Sequence, residues 1–456
     1  MCGLTGFLWN PKLKLIEIDS QLKIMAASIS HRGPDDSGCW FDDEAGVAIA
    51  HQRLSIVDLS SAGHQPMRSS SGRYTMVFNG EIYNHKDLKN QLIDKCKHPI
   101  TWKGHSDTEI LLACFEEWGL EATLEKMIGM FSISLWDSFN NAMYLIRDRL
   151  GEKPMYYGIN NGFFIFGSEL KAIKAFKGFT AKVDRNSLSL LLRYNYIPSP
   201  YSIYKGVKKL PPGTYIKIDM NDSGQLFERF PEPVKYWSIK DVIDKKHCSL
   251  LNNVKIDKAA ESLERLLKHS ISLQMDADVP LGVFLSGGID SSIVAALMQA
   301  QSNRKIKTFS IGFHEQGYNE AEYAKLVAKH LGTDHTELYI TPEEAIKVIP
   351  LLPTLYDEPF ADCSQIPTFL VSKMAKCHVS VAISGDGADE LFGGYSRYLW
   401  ANKLWVKINK SPFFIRRQVS KFITFLPPKF WNNFGIFLSK VSLQKFQITH
   451  ASDKIY

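Results

Sequence analysis

A chain of 456 residues, 45% apolar and 22% charged, can build more than one hydrophobic core and excludes an extended disordered protein. Its seven cysteines (2, 39, 96, 114, 248, 363 and 377) lie scattered, with no C-x-x-C pair and no Cys/His cluster. That pattern excludes a zinc site and a disulfide framework, and with no leader segment and no long uncharged apolar run it predicts a cytoplasmic protein with reduced thiols. The net charge of +6 is uneven: Ala401–Tyr456 carries +9 and the first 400 residues −3, read as a solvated basic face on packing helices.

The chain opens Met1-Cys2-Gly3-Leu4-Thr5-Gly6. Removing Met1 would leave a thiol and an α-amine on Cys2, with ordinary pKa values of about 8.5 and about 7.7–8.0, so the amine could serve as the thiol's base. Position alone also allows Cys2 simply to begin a strand. Strands are expected at Gly46–Ala50, Tyr74–Phe78, Phe131–Trp136 and Ala142–Ile146, with a hairpin turning at Asn160-Asn161-Gly162. Helices are expected near Lys86–Asp94 and Thr108–Trp118. Paired strands with few helices suggest antiparallel sheets layered with helices. The polar stretch Asn221–Asn253, with Pro231 and Pro233, reads as a linker.

From Asp257 the rhythm changes. Helix Ala259–Leu273, a strand ending at Leu285, helix Ser291–Met298, strand Thr308–Phe313, helix Glu320–Leu331, strand Thr336–Ile340, helix Glu343–Ile349 and strand Val379–Ser384 alternate strictly, which predicts a doubly wound parallel sheet. Ser286-Gly287-Gly288-Ile289-Asp290-Ser291-Ser292 joins strand to helix, and its amides and hydroxyls suit an anion. It lacks both the Gly-Lys-Ser/Thr of a Walker loop and G-x-G-x-x-G. Asp290 beside an anion calls for a cation between them. Ser384-Gly385-Asp386-Gly387-Ala388-Asp389-Glu390 is a second glycine loop after a strand. Both should leave one sheet edge, and hard oxygens with a phosphate suggest magnesium.

Taken in order, these motifs resemble a glutamine-dependent asparagine synthetase of the bacterial type. The first glycine loop is similar to the pyrophosphatase loop of ATP-pyrophosphate enzymes. The second, with Leu391-Phe392-Gly393-Gly394-Tyr395, and Asp357-Glu358-Pro359-Phe360-Ala361-Asp362 also match the family. In the first half the resemblance runs through Cys2-Gly3, Arg32-Gly33-Pro34-Asp35, Arg53-Leu54-Ser55-Ile56, Asn79-Gly80-Glu81-Ile82-Tyr83-Asn84 and Ser106-Asp107-Thr108-Glu109, the marks of a class II (N-terminal nucleophile) glutamine amidotransferase. The fold implied is multi-domain α/β: an αββα sandwich over 1–220, a linker over 221–253, and a doubly wound α/β synthetase domain over 254–456.

The resemblance also implies roles. Cys2 would attack the glutamine amide to give a thioester and ammonia, with Asn79 and Gly80 stabilising the oxyanion. Arg53, Asn79, Glu81 and Asp107 would bind glutamine. ATP would be held by Leu285, Ser286, Gly287, Gly288, Asp290, Ser291, Ile311, Ser384 and Gly385, with Mg2+ on Asp290 and Asp389. Aspartate would become a β-aspartyl-adenylate that ammonia, reaching it through a sheltered passage, converts to asparagine. The expected partners are glutamine, aspartate and ATP, without nucleic acid or stable membrane association; a homodimer is compatible. The chain stops at Tyr456 without the family's later E-x-R-x-P-F-L-D element, so a truncated synthetase domain with little asparagine formation is expected. Rival readings are a β-lactam-type synthetase, an amidotransferase acting on a sugar acid, and a truncated glutaminase or partner-binding protein. Cys2 with Arg53, Asn79 and Asp107 argues against the β-lactam branch.

Overall fold

Alternation along the strands decides how the first half layers. In the computed structural model, which describes residues 2–13, 17–95, 100–221, 229–244, 254–314, 319–427 and 429–434, strand β1 (Gly3–Trp9) sends Leu4 and Leu8 into one core and Phe7 and Trp9 into another. It pairs antiparallel with β3 (Val47–Arg53) and β9 (Phe163–Gly167). Adding β2 (Asp36–Asp42), β8 (Tyr156–Asn160) and β10 (Val207–Lys209) gives a six-stranded sheet in the order β10-β8-β9-β1-β3-β2.

A second six-stranded sheet is built from β4 (Met67–Arg68), β5 (Tyr74–Ile82), β6 (Gly129–Asp137), β7 (Ala142–Arg147), β11 (Thr214–Asp219) and β12 (Val234–Lys235), in the order β12-β11-β7-β6-β5-β4. Between the two sheets Leu4, Leu8, Val47, Ile49 and Phe164 of the first meet Val77, Trp136 and Ile216 of the second, forming the central core. Phe78 and Ile133 face outward onto Leu88, Leu92, Leu111 and Phe115 of helices His85–Lys95 and Asp107–Lys126. Phe7, Trp9 and Ala50 face the other way onto Leu22, Met25 and Ile173 of helices Ile18–Ala27 and Leu170–Lys174. The result is the expected αββα sandwich, and truncating a core residue such as Phe115 should cost about 3–5 kcal/mol.

The hairpin turns where the sequence places it, with Asn161 and Gly162 at φ 50° and 80°. Helix Asp107–Lys126 departs from expectation at one point. The chain breaks helical geometry at Gly119 (φ 76°), one residue past the expected end at Trp118, and then resumes as helix. Within 221–253, residues 229–244 contribute β12 and helix Ile239–Asp244, while 222–228 and 245–253 lie outside the described residues.

The second half supplies a four-stranded parallel sheet: β13 (Leu281–Phe284), β14 (Lys307–Phe313), β15 (Asp334–Ile340) and β16 (Val381–Ile383), in the order β15-β14-β13-β16. Val283 and Leu285 pack on Ile271, Ala295 and Ala324 of helices Ile256–Gln274, Ile289–Gln301 and Ala321–Leu331. Phe284 and Phe309 pack on Val371 and Ala375 of helix Gln365–Lys376, on the opposite face. The sheet is doubly wound. Strand order advances from β13 to β15 and then returns to place β16 on the other side of β13, so the switch point falls between β13 and β16, where such sheets bind ligands.

By contacts the chain separates into residues 1–385 and 386–456. The second unit contains helices Ala388–Phe392, Ser396–Asn409 and Phe413–Phe425. No helix among the described residues is long and apolar enough to cross a membrane.

Candidate functional site

The β1–β3 register pairs Leu4 with His51 and Gly3 with Gln52, so Cys2 follows on opposite Arg53. Period-two alternation puts Cys2 on the face of Leu4, Arg53 on that of Ile49, and Asn79 and Glu81 on that of Val77. At one end of the sandwich the apolar central layer therefore gives way to Cys2, His51, Arg53, Asn79 and Glu81. Asp107 joins them from the first turn of its helix, which Ser106 caps by accepting from Glu109 N–H at 3.3 Å. An Asp107 carboxylate oxygen accepts from Ile82 N–H at 2.9 Å, pinning helix to strand. Cys2, Arg53, Gly80, Glu81 and Asp107 line one cleft.

Burial pushes the Cys2 thiol up from its ordinary value, and the Leu54 backbone hydrogen bond pulls against it. Leu54 N–H reaches Sγ at 3.3 Å, and the thiol can donate to Leu54 O at 3.5 Å. A resting thiol of this kind needs a base before it can attack. Across the cleft, burial first and then the Asp107 charge push Glu81 up to about 8. Asp107 is itself pushed up by burial, against hydrogen bonds that favour its ionised form. Among the described residues no ion pair reaches either carboxylate. Lys153 favours the charged form of Glu81 and His85 that of Asp107 without a salt bridge, and two buried acids lacking a direct ion pair form a site that a ligand cation would complete.

The Arg53 guanidinium donates to Ser60 O at 3.0 Å and to Asp58 O, leaving further N–H groups available. Gly63 makes this possible, since a Cβ there would fall on the guanidinium. Asn79 Nδ2 donates to Ser132 Oγ at 3.4 Å, while its Oδ1 is buried without a partner. A half-turn of the amide lets the Ser132 hydroxyl donate to Oδ1 and puts the NH2 in the unpartnered position, as a donor awaiting an acceptor.

Arg32-Gly33-Pro34-Asp35 shapes the surroundings of Cys2. Arg32 Nε donates to Cys2 O at 2.8 Å and Nη1 to Glu169 at 2.6 Å, while Asp35 accepts from Ser55 N–H at 2.8 Å. Burial would raise Glu169, but Lys171 and Arg32 outweigh it and hold the carboxyl below its ordinary range. Sequence reasoning missed Gln65, which spans the cleft wall from Phe78 N–H (2.7 Å) to Thr108 Oγ1 (3.3 Å). It also missed His51, whose Nε2 donates to Phe78 O at 2.9 Å and which burial lowers to about 4. Only the alternation of Val47, Ile49 and His51 signals that this histidine faces inward.

In the second half the loops 286–292 and 384–385 leave adjacent strands, β13 and β16, as expected. A Cβ on Gly385 would lie 2.8 Å from Ser291 N and 2.9 Å from Asp290 C, so the loops meet backbone to backbone. Gly287, at φ 81°, makes room for helix Ala321–Leu331, whereas a Cβ on Gly288 would meet only Ser286 Oγ, at 3.3 Å. The Ser286 and Ser291 hydroxyls bond each other at 2.9 Å, and Gly288 N–H donates to Ser286 Oγ at 3.3 Å. Leu285 N–H donates to Phe309 O at 2.9 Å; continuing the β13–β14 register sets Ser286 beside Ile311. Asp290 stands in the first turn of helix Ile289–Gln301. Asp389 belongs to the second unit, in helix Ala388–Phe392, where its carbonyl accepts from Gly394 N–H at 3.0 Å. Among the described residues no three His, Cys, Asp or Glu side chains cluster as metal ligands would.

Residues 1–230 match the glutamine amidotransferase domain family and residues 262–446 the asparagine synthase family. The chain is 35% identical over 399 residues to the glutamine-hydrolysing asparagine synthetase 1 of Bacillus subtilis, covering 87% of this chain and 59% of that one. A protein of Methanocaldococcus jannaschii named as a second glutamine-hydrolysing asparagine synthetase is 35% identical over 443 residues, covering 92% of this chain and 80% of that one. B. subtilis synthetase 3 is 31% identical, with 87% and 63% covered. The chain thus spans about three-fifths of the length of both B. subtilis relatives.

Proposed function

The chain belongs to the glutamine-hydrolysing asparagine synthetase family, and from that membership we propose that it takes amide nitrogen from glutamine and transfers it to the β-carboxylate of aspartate at the expense of ATP. The observation that carries the first half-reaction is the cleft itself. A nucleophilic thiol and a guanidinium sit opposite two buried acids to which, among the described residues, no salt bridge is made. A molecule with an α-carboxylate, an α-ammonium and a side-chain amide satisfies all of them together.

In this reading Arg53 grips the α-carboxylate with its remaining N–H groups, a planar fork suited to two oxygens. Glu81 and Asp107 take the α-ammonium. With Met1 removed, the Cys2 amine accepts the thiol proton and Sγ attacks the amide carbon, with Asn79 Nδ2 and Gly80 N–H holding the oxyanion. Each such donor contributes about 2.7–4 kcal/mol to the transition state. The amine returns the proton to the departing nitrogen, which leaves as ammonia. Water then cleaves the thioester and releases glutamate.

For the second half-reaction, ATP would lie at the switch point between β13 and β16, over Gly288 and against Leu285, Ser286, Gly287, Ser291, Ile311, Ser384 and Gly385. The open face of Gly288 at a helix N-terminus favours phosphate approach. Attack by the aspartate β-carboxylate on the α-phosphorus would form an aspartyl-adenylate and release pyrophosphate, and ammonia would then displace AMP. The carboxylates of Asp290 and Asp389 offer the hard oxygens that Mg2+ prefers, and the ion would offset charge on the leaving pyrophosphate. We assign glutamine hydrolysis to residues 1–220, a linker to 221–253 and amide synthesis to 254–456, in a cytoplasmic enzyme. The test is a nitrogen balance with amide-labelled glutamine, aspartate, ATP and magnesium, following glutamate, pyrophosphate and labelled asparagine separately. Glutamate release that depends on Cys2, with label in asparagine, supports the reading; label that never leaves glutamine overturns it.

A further inference from the structure

The loop that holds Arg53 is fastened from outside its own domain. Asp58 lies on that loop at φ 61°, a left-handed conformation that is costly for a residue with a side chain. Its carbonyl and that of Ser60 hold the Arg53 guanidinium. The Asp58 carboxylate fixes the turn from within, accepting from Ser60 N–H at 3.0 Å and from His105 N–H at 2.8 Å. The Asp58 backbone N–H turns outward and donates at 2.8 Å to the carboxylate of Asp278, which precedes β13 in the second half of the chain. The same Asp278 oxygen accepts from His105 Nε2 at 2.7 Å, and Asp278 N–H donates to Ile56 O at 3.0 Å. Two hydrogen bonds from one distant residue thus reach the turn directly, at Ile56 and Asp58, and a third reaches it through His105, whose own N–H holds the Asp58 carboxylate.

We infer that Asp278 is a positioning residue for the glutamine site, setting the Asp58 and Ser60 carbonyls so that the free edge of the Arg53 guanidinium meets the substrate's α-carboxylate. The inference rests on the glutamine reading above. Asp278 lies some 220 residues from Asp58 in sequence and touches none of the reacting atoms; it acts through the loop. The half of the chain that carries the ATP loops therefore completes the carboxylate grip in the other half. Loosening the clasp should weaken glutamine binding and leave the Cys2 chemistry intact.

The experiment uses the whole chain with Met1 removed and measures steady-state glutamate release. Asp278→Ala should raise KM for glutamine about tenfold with kcat within about twofold, the split expected when binding rather than the chemical step is lost. Asp278→Asn keeps an acceptor for Asp58 N–H and should recover most of the loss. In an Arg53→Lys background, Asp278→Ala should add less than about threefold, because two residues acting through one contact do not add. A structural role elsewhere would cost as much in both backgrounds. His105→Ala removes the other arm of the clasp from an exposed position and should raise KM about threefold; it remains the test if Asp278→Ala does not fold. An unmoved KM in the alanine variants, a matching fall in kcat, or full additivity with Arg53→Lys overturns the inference. Failure of the unsubstituted chain to release glutamate would instead overturn the glutamine reading, and this inference with it.

Discussion

Glu81 offers the sharpest test of how the cleft recognises its ligand. Burial and the neighbouring Asp107 push its carboxyl up to about 8, so in the empty site it is mostly protonated at neutral pH. An α-ammonium is held by the ionised form, and the apparent affinity is the intrinsic one scaled by the ionised fraction. That fraction is about one in eleven at pH 7.0 and about three in four at pH 8.5, so glutamine binding should tighten about eightfold over this interval, or about 1.3 kcal/mol. The interval stops where the amino acid's own ammonium is still largely charged.

Calorimetric titration of Cys2→Ala protein avoids hydrolysis and reads binding alone. At pH 7.0 each glutamine bound should release about 0.9 proton, visible as a binding enthalpy that changes between phosphate and Tris buffers. Glu81→Gln should bind more weakly at pH 8.5 and lose both the pH slope and the proton release. A dissociation constant that stays flat from pH 7.0 to 8.5, or a slope that survives in Glu81→Gln, would refute the argument that these buried acids wait for a cation.

Cys2→Ala should abolish glutamate release, and an uncleaved N-terminal tag should do nearly the same because it removes the free α-amine; a tagged protein that turns over normally would remove the amine from the mechanism. Gly385→Ala sets a methyl against the backbone of Asp290 and Ser291, so it should lower stability by about 1–3 kcal/mol and weaken ATP binding. Gly288→Ala should leave the melting temperature unchanged and still weaken ATP binding; an ATP-induced melting shift as large as in the unsubstituted chain would move the nucleotide elsewhere. His51, lowered to about 4 by burial, is neutral in the fold and takes up a proton when unfolded below about pH 6.5. Its contribution is therefore full above about pH 6.5 and is lost as pH falls toward 4, by up to about 3 kcal/mol. Urea midpoints followed over that range should fall less steeply in His51→Gln than in the parent chain, and equal slopes would count against a buried neutral imidazole.

Much of the scaffold is legible in the residues because each strand carries its own signal. Phe131–Trp136 and Ala142–Ile146 announce a hairpin whatever lies around them, and Asn161-Gly162 supplies the positive φ its neighbour needs. The helix–strand alternation after Asp257 likewise gives the parallel sheet. Short edge elements such as β12 and the resumed helix after Gly119 are not legible, since tertiary contacts rather than local pattern hold them. The site divides along the same line. Cys2, Asn79, Glu81 and Asp107 stand in motifs, but that Cys2 faces Arg53 is a fact of register between β1 and β3, and register is a property of two strands together.

Glycines show how far motif reading reaches. Gly287 and Gly288 are identical in sequence terms, and both suggest close approach of a ligand. In the fold Gly287 is consumed by packing against Tyr323 and Ala324, and Gly288 alone keeps an open face. Asp278 makes the same point from the other side. It belongs to no motif, stands before a strand and resembles a turn residue, yet its carboxylate closes on a loop far away in the first half of the chain. A hydrogen bond that links residues 58 and 278 leaves no periodicity, spacing or composition behind it. Motifs mark where the reacting groups are, and the contacts that hold those groups at working geometry come from whatever surface the fold brings alongside. In this chain that surface comes from the residues before β13, so the proposed grip on glutamine would lean on the half of the chain for which ATP binding is proposed.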